Sequence, residues 1–202
     1  HQPGFSYDKS NNMSLDNKKK IARAKAKINR GLIHERIAVE ASISVSRFAL
    51  DFLQDNSMFQ TVAAYSPIGS ELDVIPTIQS LLEVGKKICL PLIIADQLPL
   101  KFKLWDGQGE LVKGQFNVLV PKFGSFVVPD VVFCPLLSYD NSGYRLGYGG
   151  GFYDRTIELF SEKKSTLILG CAYSQQKVEK MLPVNRFDKK LDGILTEKGL
   201  TF

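Results

Sequence analysis

Gly143-Tyr144-Arg145-Leu146-Gly147-Tyr148-Gly149-Gly150-Gly151-Phe152-Tyr153-Asp154-Arg155 places five glycines in thirteen residues and runs directly into a helix-like stretch, Tyr153 to Phe160. Glycine lets the backbone approach a ligand closely and takes positive φ without steric cost. A helix start just beyond it offers unpaired N–H groups and the positive end of the helix dipole, which suits a phosphate. Arg145 and Arg155 add positive charge at either end, and Asp154 adds a carboxylate able to hold a metal. Anion binding is the first reading; a glycine-rich turn that merely ends a strand is the alternative, and composition does not separate them.

The segments on either side decide the fold class. Val127 to Cys134 is strongly β-forming and delivers the chain through Pro135-Leu136-Leu137-Ser138 to the glycine stretch. After the helix from about Phe152 to Phe160 comes a second apolar strand, Thr166 to Cys171. Further upstream, Thr61 to Tyr65 and Ile88 to Ile94 read as buried strands. Asp73 is placed to cap a helix over Val74 to Val84, which Gly85 ends. Leu100 to Trp105 alternates polar and apolar residues, as a half-exposed antiparallel strand does, and Gly107 to Pro121 reads as loop with short strands. Residues from about Asp16 to Leu53 form one or two helices, and Ile21, Ala24, Ile28 and Leu32 recur at the spacing of one apolar face. The expected architecture is α/β: a single domain with a mostly parallel sheet flanked by helices, a small antiparallel addition and a basic N-terminal helix. Residues 1–15 are set aside as a disordered leader or expression remnant, and 16–202 form the folded unit.

Charge and cysteine usage narrow the function. The net charge of +5 is concentrated: Asp16 to Glu40 holds eight Lys/Arg against three Asp/Glu, and the rest holds eighteen of each. Lys19, Arg23, Lys27 and Arg30 repeat at helical spacing. This stripe reads as a solvated face, as a nucleic-acid contact, or as a pair (Lys19 and Arg23, one turn apart) that reaches a ligand's phosphates. No interleaved aromatics are present to stack bases, which counts against the second reading. Cys89, Cys134 and Cys171 each lie inside an apolar run, and their odd number and wide spacing argue against a disulfide framework or zinc site. Buried reduced thiols fit a cytoplasmic protein. The two histidines, His1 and His34, are poorly placed for a Ser-His-Asp or Cys-His hydrolase. No apolar run is long enough to span a bilayer.

The glycine stretch fails the familiar nucleotide fingerprints. G-x-G-x-x-G, begun at Gly147 and Gly149, meets Phe152 where its third glycine belongs, and G-x-x-x-x-G-K-[ST] occurs nowhere. Arg145 to Asp154 instead closely resembles the signature R-L-G-x-G-x-G-Y-Y-D of the 5-formyltetrahydrofolate cyclo-ligases. The resemblance extends to a Lys-x-x-x-Arg on the first helix, matched by Lys19 and Arg23. It continues in a first strand whose loop ends in a glutamate, matched by Tyr65 to Glu71, and in a closing Pro183, Asp188, Asp192 pattern. It covers roughly Lys19 to Leu195. One departure is Phe152, where the family has a tyrosine; ring stacking is kept and a hydroxyl is lost.

That resemblance implies an ATP-dependent conversion of 5-formyltetrahydrofolate to 5,10-methenyltetrahydrofolate. The formyl oxygen is phosphorylated to an imidate phosphate, N10 closes the ring, and ADP and phosphate are released. It implies Lys19, Arg23 and Arg145 as the catalytic cations, and an ATP site made by these three with Leu146, Gly147, Tyr148, Gly149, Gly150, Gly151, Phe152 and Tyr153. Tyr65, Glu71, Tyr148, Phe152 and Tyr153 are the implied substrate wall, and Asp154 and Asp192 the implied Mg²⁺ ligands. Asp188 is read as structural, and Tyr148 as important for its amide more than its side chain. The expected partners are a folate and ATP, with neither nucleic acid nor membrane, and the expected state is a monomer. A basic nucleic-acid-binding protein and a sugar-phosphate isomerase on a related scaffold remain as alternatives.

Overall fold

The computed structural model describes residues 13–163 and 166–202; the proposed leader lies almost wholly outside them. Five parallel strands form the centre of an eight-stranded sheet: β1 (Thr61–Ala63), β2 (Lys87–Leu92), β7 (Val131–Pro135), β10 (Leu167–Cys171) and β11 (Gly193–Thr196). Their order is β11-β10-β7-β1-β2. Antiparallel strands extend both edges, β3 (Lys101–Trp105) and then β6 (Phe126–Val127) beyond β2, and β12 (Gly199–Thr201) beyond β11. Two small hairpins complete the set among the described residues, β4 (Leu111–Lys113) with β5 (Leu119–Pro121), and β8 (Ser138–Tyr139) with β9 (Arg145–Leu146). The α/β architecture expected from the sequence is the one observed.

Residues of alternate parity along the strands divide the core in two. Val62, Ala64, Ile88, Leu90, Val131, Phe133 and Leu169 pack against helices α1 (Leu15–Asp55) and α2 (Ile75–Glu83). Ala63, Cys89, Val132, Cys134 and Ile168 pack on the other face against Ile157 and Phe160 of α3 (Phe152–Lys163). Central strands are therefore covered on both sides, and Val131 to Cys134 is buried at every residue. That is why β7 reads as a continuous apolar run with no alternation. All three cysteines are buried and free, and burial pushes the thiols of Cys134 to about 11 and of Cys89 to about 12.

The connectivity locates a crevice. From β1 the chain passes through α2 to β2 on one side, and from β7 through α3 to β10 on the other. Neighbouring strands whose connections leave in opposite directions open a gap at their carboxyl ends, where α/β sheets bind ligands.

Helix α1 corrects one expectation. It is a single helix of 41 residues, but Ile21 (44% exposed), Ile28 (67%) and Leu32 (56%) face solvent. The inward face of its N-terminal half carries Lys19, Ala26 and Arg30, all buried. The reason lies in what this half covers. It overhangs the carboxyl ends of the strands, where its partners are carboxylate and carbonyl oxygens, and cations satisfy those groups where aliphatic side chains cannot. Asp73 is not the cap expected of it: Val74 is the N-cap of α2, and Asp73, one residue earlier, accepts the Ile75 N–H with its carboxylate.

Candidate active site

A cavity of about 610 Å³ opens at the carboxyl ends of β1, β2 and β7. Lys19, Arg23, Tyr65, Glu71 and the whole run from Arg145 to Asp154 line it. Every site residue expected from the sequence is thus brought to one place, with the exception of Asp192.

Two ion pairs sit in its wall. Lys19 Nζ donates to both carboxylate oxygens of Asp188, at 2.8 and 2.6 Å. Arg145 is buried and donates from Nη1 to Asp154 Oδ1 at 3.0 Å and to the Lys189 carbonyl at 3.2 Å. The same Asp154 oxygen accepts the Lys189 N–H. A third cation, Arg23, donates from Nε to the Gly147 carbonyl at 2.9 Å. This contact brings α1 so close to the glycine loop that a Cβ at Gly149 would lie 3.3 Å from the Arg23 guanidinium carbon; independently, one at Gly151 would lie 2.7 Å from Arg155 Nη1 of α3. Gly149 has φ +105 and Gly151 φ +70, which L side chains rarely adopt, so both positions call for glycine on backbone grounds. The loop ends where α3 begins, at Phe152, with its first-turn N–H groups at the cavity wall.

The opposite wall carries Tyr65, Glu71 and the Tyr148 side chain. Tyr65 is buried and donates its hydroxyl to the Leu72 carbonyl at 2.7 Å, fixing the loop that carries Glu71. Glu71 is buried; Oε2 accepts the Ile68 N–H and Oε1 the Tyr148 hydroxyl, each at 2.9 Å. Burial raises the Glu71 carboxyl above its ordinary value, and the two hydrogen bonds and the nearby Arg30 charge pull the other way. The Tyr148 side chain, expected to matter less than its amide, is thus engaged with Glu71. Phe152 stacks under the Arg155 guanidinium, 4.9 Å from the ring centre, and edge-on to Phe116 at 6.5 Å. Arg155 also donates to the carbonyls of Leu98 and Gly150, so it braces the loop instead of forming the surface ion pair its type suggests.

Asp192 is a correction. Its carboxylate accepts the Ile168 N–H at 2.7 Å, near the amino end of β10, and its own N–H donates to the Ile168 carbonyl. It pins the sheet at the edge away from the cavity, as Asp130 does by accepting from Gln60 and Thr61. Asp188 is the carboxylate that reaches the cavity with Asp154. The two aspartates 188 and 192 lie in a segment without helix or strand, where spacing carries no information about direction.

Phe116 is not visible in the sequence. It hangs into the cavity from the turn between β4 and β5, with φ +56, and Asn117 follows at φ +59. The only signal is an Asn, a residue tolerant of that conformation, in a glycine-bounded loop.

The 5-formyltetrahydrofolate cyclo-ligase family model matches residues 15–197. The chain belongs to the 5-formyltetrahydrofolate cyclo-ligase family. It is 38% identical over 145 residues to the 5-formyltetrahydrofolate cyclo-ligase of Escherichia coli strain K12, covering 69% of this chain and 79% of that protein. Its identity to the cyclo-ligase of Haemophilus influenzae is 33% over 162 residues, covering 77% and 85%. In fold it is similar to the 5,10-methenyltetrahydrofolate synthetase of Mycoplasma pneumoniae, with a TM-score of 0.68 at 21% identity over 92% of this chain and 99% of that one. The synthetase of Aquifex aeolicus gives a TM-score of 0.65 at 25% identity, over 93% and 92%. The cavity described above lies wholly within the residues that the cyclo-ligase family model matches.

Proposed function

We propose that the cavity holds 5-formyltetrahydrofolate and MgATP side by side and closes the folate's ring to give 5,10-methenyltetrahydrofolate, ADP and phosphate. The observation that carries this reading is the convergence of a glycine loop, three cations and a buried glutamate on one cavity in a chain of the cyclo-ligase family. A formamide carbonyl is a poor electrophile with a poor leaving oxygen. ATP supplies the phosphoryl group that turns that oxygen into a leaving group, after which N10 attacks the formyl carbon and phosphate departs.

The chain's own task is positioning and charge. The backbone N–H groups of Gly147 to Gly151 and the start of α3 cradle the phosphates. Lys19, Arg23 and Arg145 neutralise charge on the triphosphate and the transferring group. Glu71 accepts hydrogen bonds from the pterin's amino group and ring N–H, between walls made by Tyr65, Phe116, Phe152 and Tyr153.

The donor set fits Mg²⁺ as well. Asp154 and Asp188 present hard oxygen ligands at the cavity, and each is charge-balanced by a cation, Arg145 or Lys19. MgATP carries both signs, so Asp154 and Asp188 would be free to hold the metal while Arg145 and Lys19 turn to the phosphates. Among the described residues no group of three or more His, Cys, Asp or Glu gathers as a metal cage, so the remaining ligands would come from phosphates and water, as is usual for Mg²⁺. Held there by Asp154 and Asp188, the ion would supply positive charge to the phosphates. We further place the protein in the cytoplasm, on the support of its three buried free thiols.

Incubation with 5-formyltetrahydrofolate and MgATP, followed by the near-ultraviolet absorbance of the methenyl product, tests the reading. Product that depends on both ligands is expected; folded protein that forms none refutes it.

A further inference from the structure

Tyr148 occupies a place the reaction does not by itself require. It sits on the glycine loop between Gly147 and Gly149, yet its hydroxyl donates across the cavity to Glu71 Oε1 at 2.9 Å. Its ring is held from behind by Arg30, whose guanidinium carbon lies 5.5 Å from the ring centre. Arg30 is buried in α1 and spoken for on its other sides, with Nε donating to Ser70 Oγ and Nη1 to the Leu136 carbonyl, both at 3.1 Å. One tyrosine therefore ties the loop that takes phosphates to the carboxylate that takes the pterin, and a buried cation fixes its direction.

We propose that Tyr148 is a positioning residue that couples the two ligand sites, its hydroxyl transmitting the ordering of the glycine loop by phosphates to the aim of Glu71. This rests on the cyclo-ligase reading above. The loop is rich in glycine, so its backbone is costly to order. Phosphates held by the loop's N–H groups stabilise the loop geometry that presents the Tyr148 ring, and with it the hydrogen bond that aims the Glu71 carboxylate. Coupling of this kind is reciprocal, so the folate must tighten nucleotide binding by the same factor.

The charged and titratable groups facing Glu71 are Arg30 from α1, Tyr148 from the loop, Tyr65 after β1, Tyr153 at the start of α3 and Cys134 on β7. Of these, Arg30 and Tyr148 favour the ionised carboxylate. Removal of the Tyr148 hydroxyl accordingly moves the Glu71 titration further up, a change that a purely space-filling role would not produce.

Calorimetric titration of the full chain with 5-formyltetrahydrofolate, with and without Mg²⁺ and a non-hydrolysable ATP analogue, tests the proposal across pH. The wild type is expected to bind folate about tenfold more tightly with the analogue present. In Tyr148→Phe, which keeps the ring against Arg30, that factor falls to about one and the acid limb of folate binding moves to higher pH. In Glu71→Gln the acid limb disappears. If the wild type turns over while Tyr148→Phe keeps the wild-type coupling factor, or the wild type shows none, the proposal is overturned and the cyclo-ligase reading stands. Absence of turnover by the wild type overturns that reading, and the proposal with it.

Discussion

Asp188 and Asp192 lie four residues apart and have opposite fates, so their exchange for neutral side chains separates chemistry from stability. In Asp188→Asn, Lys19 loses a charged partner at a site where the two side chains are only 10% and 14% exposed. Complete loss of a buried ion-pair partner costs about 3–5 kcal/mol. Asparagine keeps an acceptor for Lys19 and for the Asn185 N–H, which now bonds at 2.6 Å, and the cavity admits water, so a loss of about 1–2 kcal/mol is expected. For a chain of this size that lowers the melting temperature by roughly 2–8 °C. Turnover should suffer far more. Withdrawal of one preorganised charge from a phosphoryl-transfer site typically costs about 10²–10³-fold in rate, and part of the loss should be recovered at high Mg²⁺.

Asp192→Ala removes a carboxylate that accepts one backbone N–H at the far edge of the sheet. Its stability cost is similar, about 1–2 kcal/mol, but the rate of product formation at a temperature where both proteins are folded should stay within about twofold of the wild type. Melting curves and the methenyl absorbance, measured on the same preparations against Mg²⁺ concentration, give all four numbers. The reasoning fails if Asp192→Ala abolishes turnover while Asp188→Asn leaves it intact, since the metal carboxylate would then be on the wrong side of the sheet.

Gly149→Ala should fold with a stability loss of about 1–3 kcal/mol from its φ of +105, and titration should show weaker ATP binding because the new methyl displaces Arg23; unchanged ATP affinity would count against a phosphate role for the loop. Folate binding should fall on the acid side with a midpoint above that of an ordinary glutamate, because burial raises the Glu71 carboxyl. For stability the sign is opposite to that of a salt-bridged acid: between the unfolded and the raised folded value the native state binds more protons, so Glu71's contribution to stability falls as pH rises through that window. Phe116→Ala should raise the KM for the folate severalfold with little change in melting temperature, since the ring is 68% exposed. Gly170→Ala should do the reverse, lowering the melting temperature through contacts of 2.7–2.9 Å with Leu191, Ile194 and Leu136 while leaving kcat near wild type.

The parts of the fold legible in the sequence are those where one physical requirement dominates. Val131 to Cys134 has only burial to satisfy, and it reads as a plain apolar run. A strand with one solvated face announces itself by period two, as Lys101 to Trp105 does on the sheet's antiparallel side. The glycine stretch is equally plain, because close approach and positive φ leave few alternatives to glycine.

Helix α1 resists such reading for the opposite reason. Periodicity locates a face but does not say what that face meets, and two stripes compete on this helix. Aliphatic Ile21, Ile28 and Leu32 make the stronger pattern, yet Lys19, Arg23 and Arg30 turn inward because their partners there are the Asp188 carboxylate and the carbonyls of Gly147 and Leu136. All three partners are distant in sequence, and two are backbone atoms that no residue type reveals. The same limit hides the Tyr148–Glu71 contact, which joins residues 77 positions apart. A binding site inverts the ordinary rule for helix burial wherever the surface being covered is polar, so a basic stripe opposite an aliphatic one is itself a signal. On a helix that must dock beside a glycine loop, the charged face is the one to place inward.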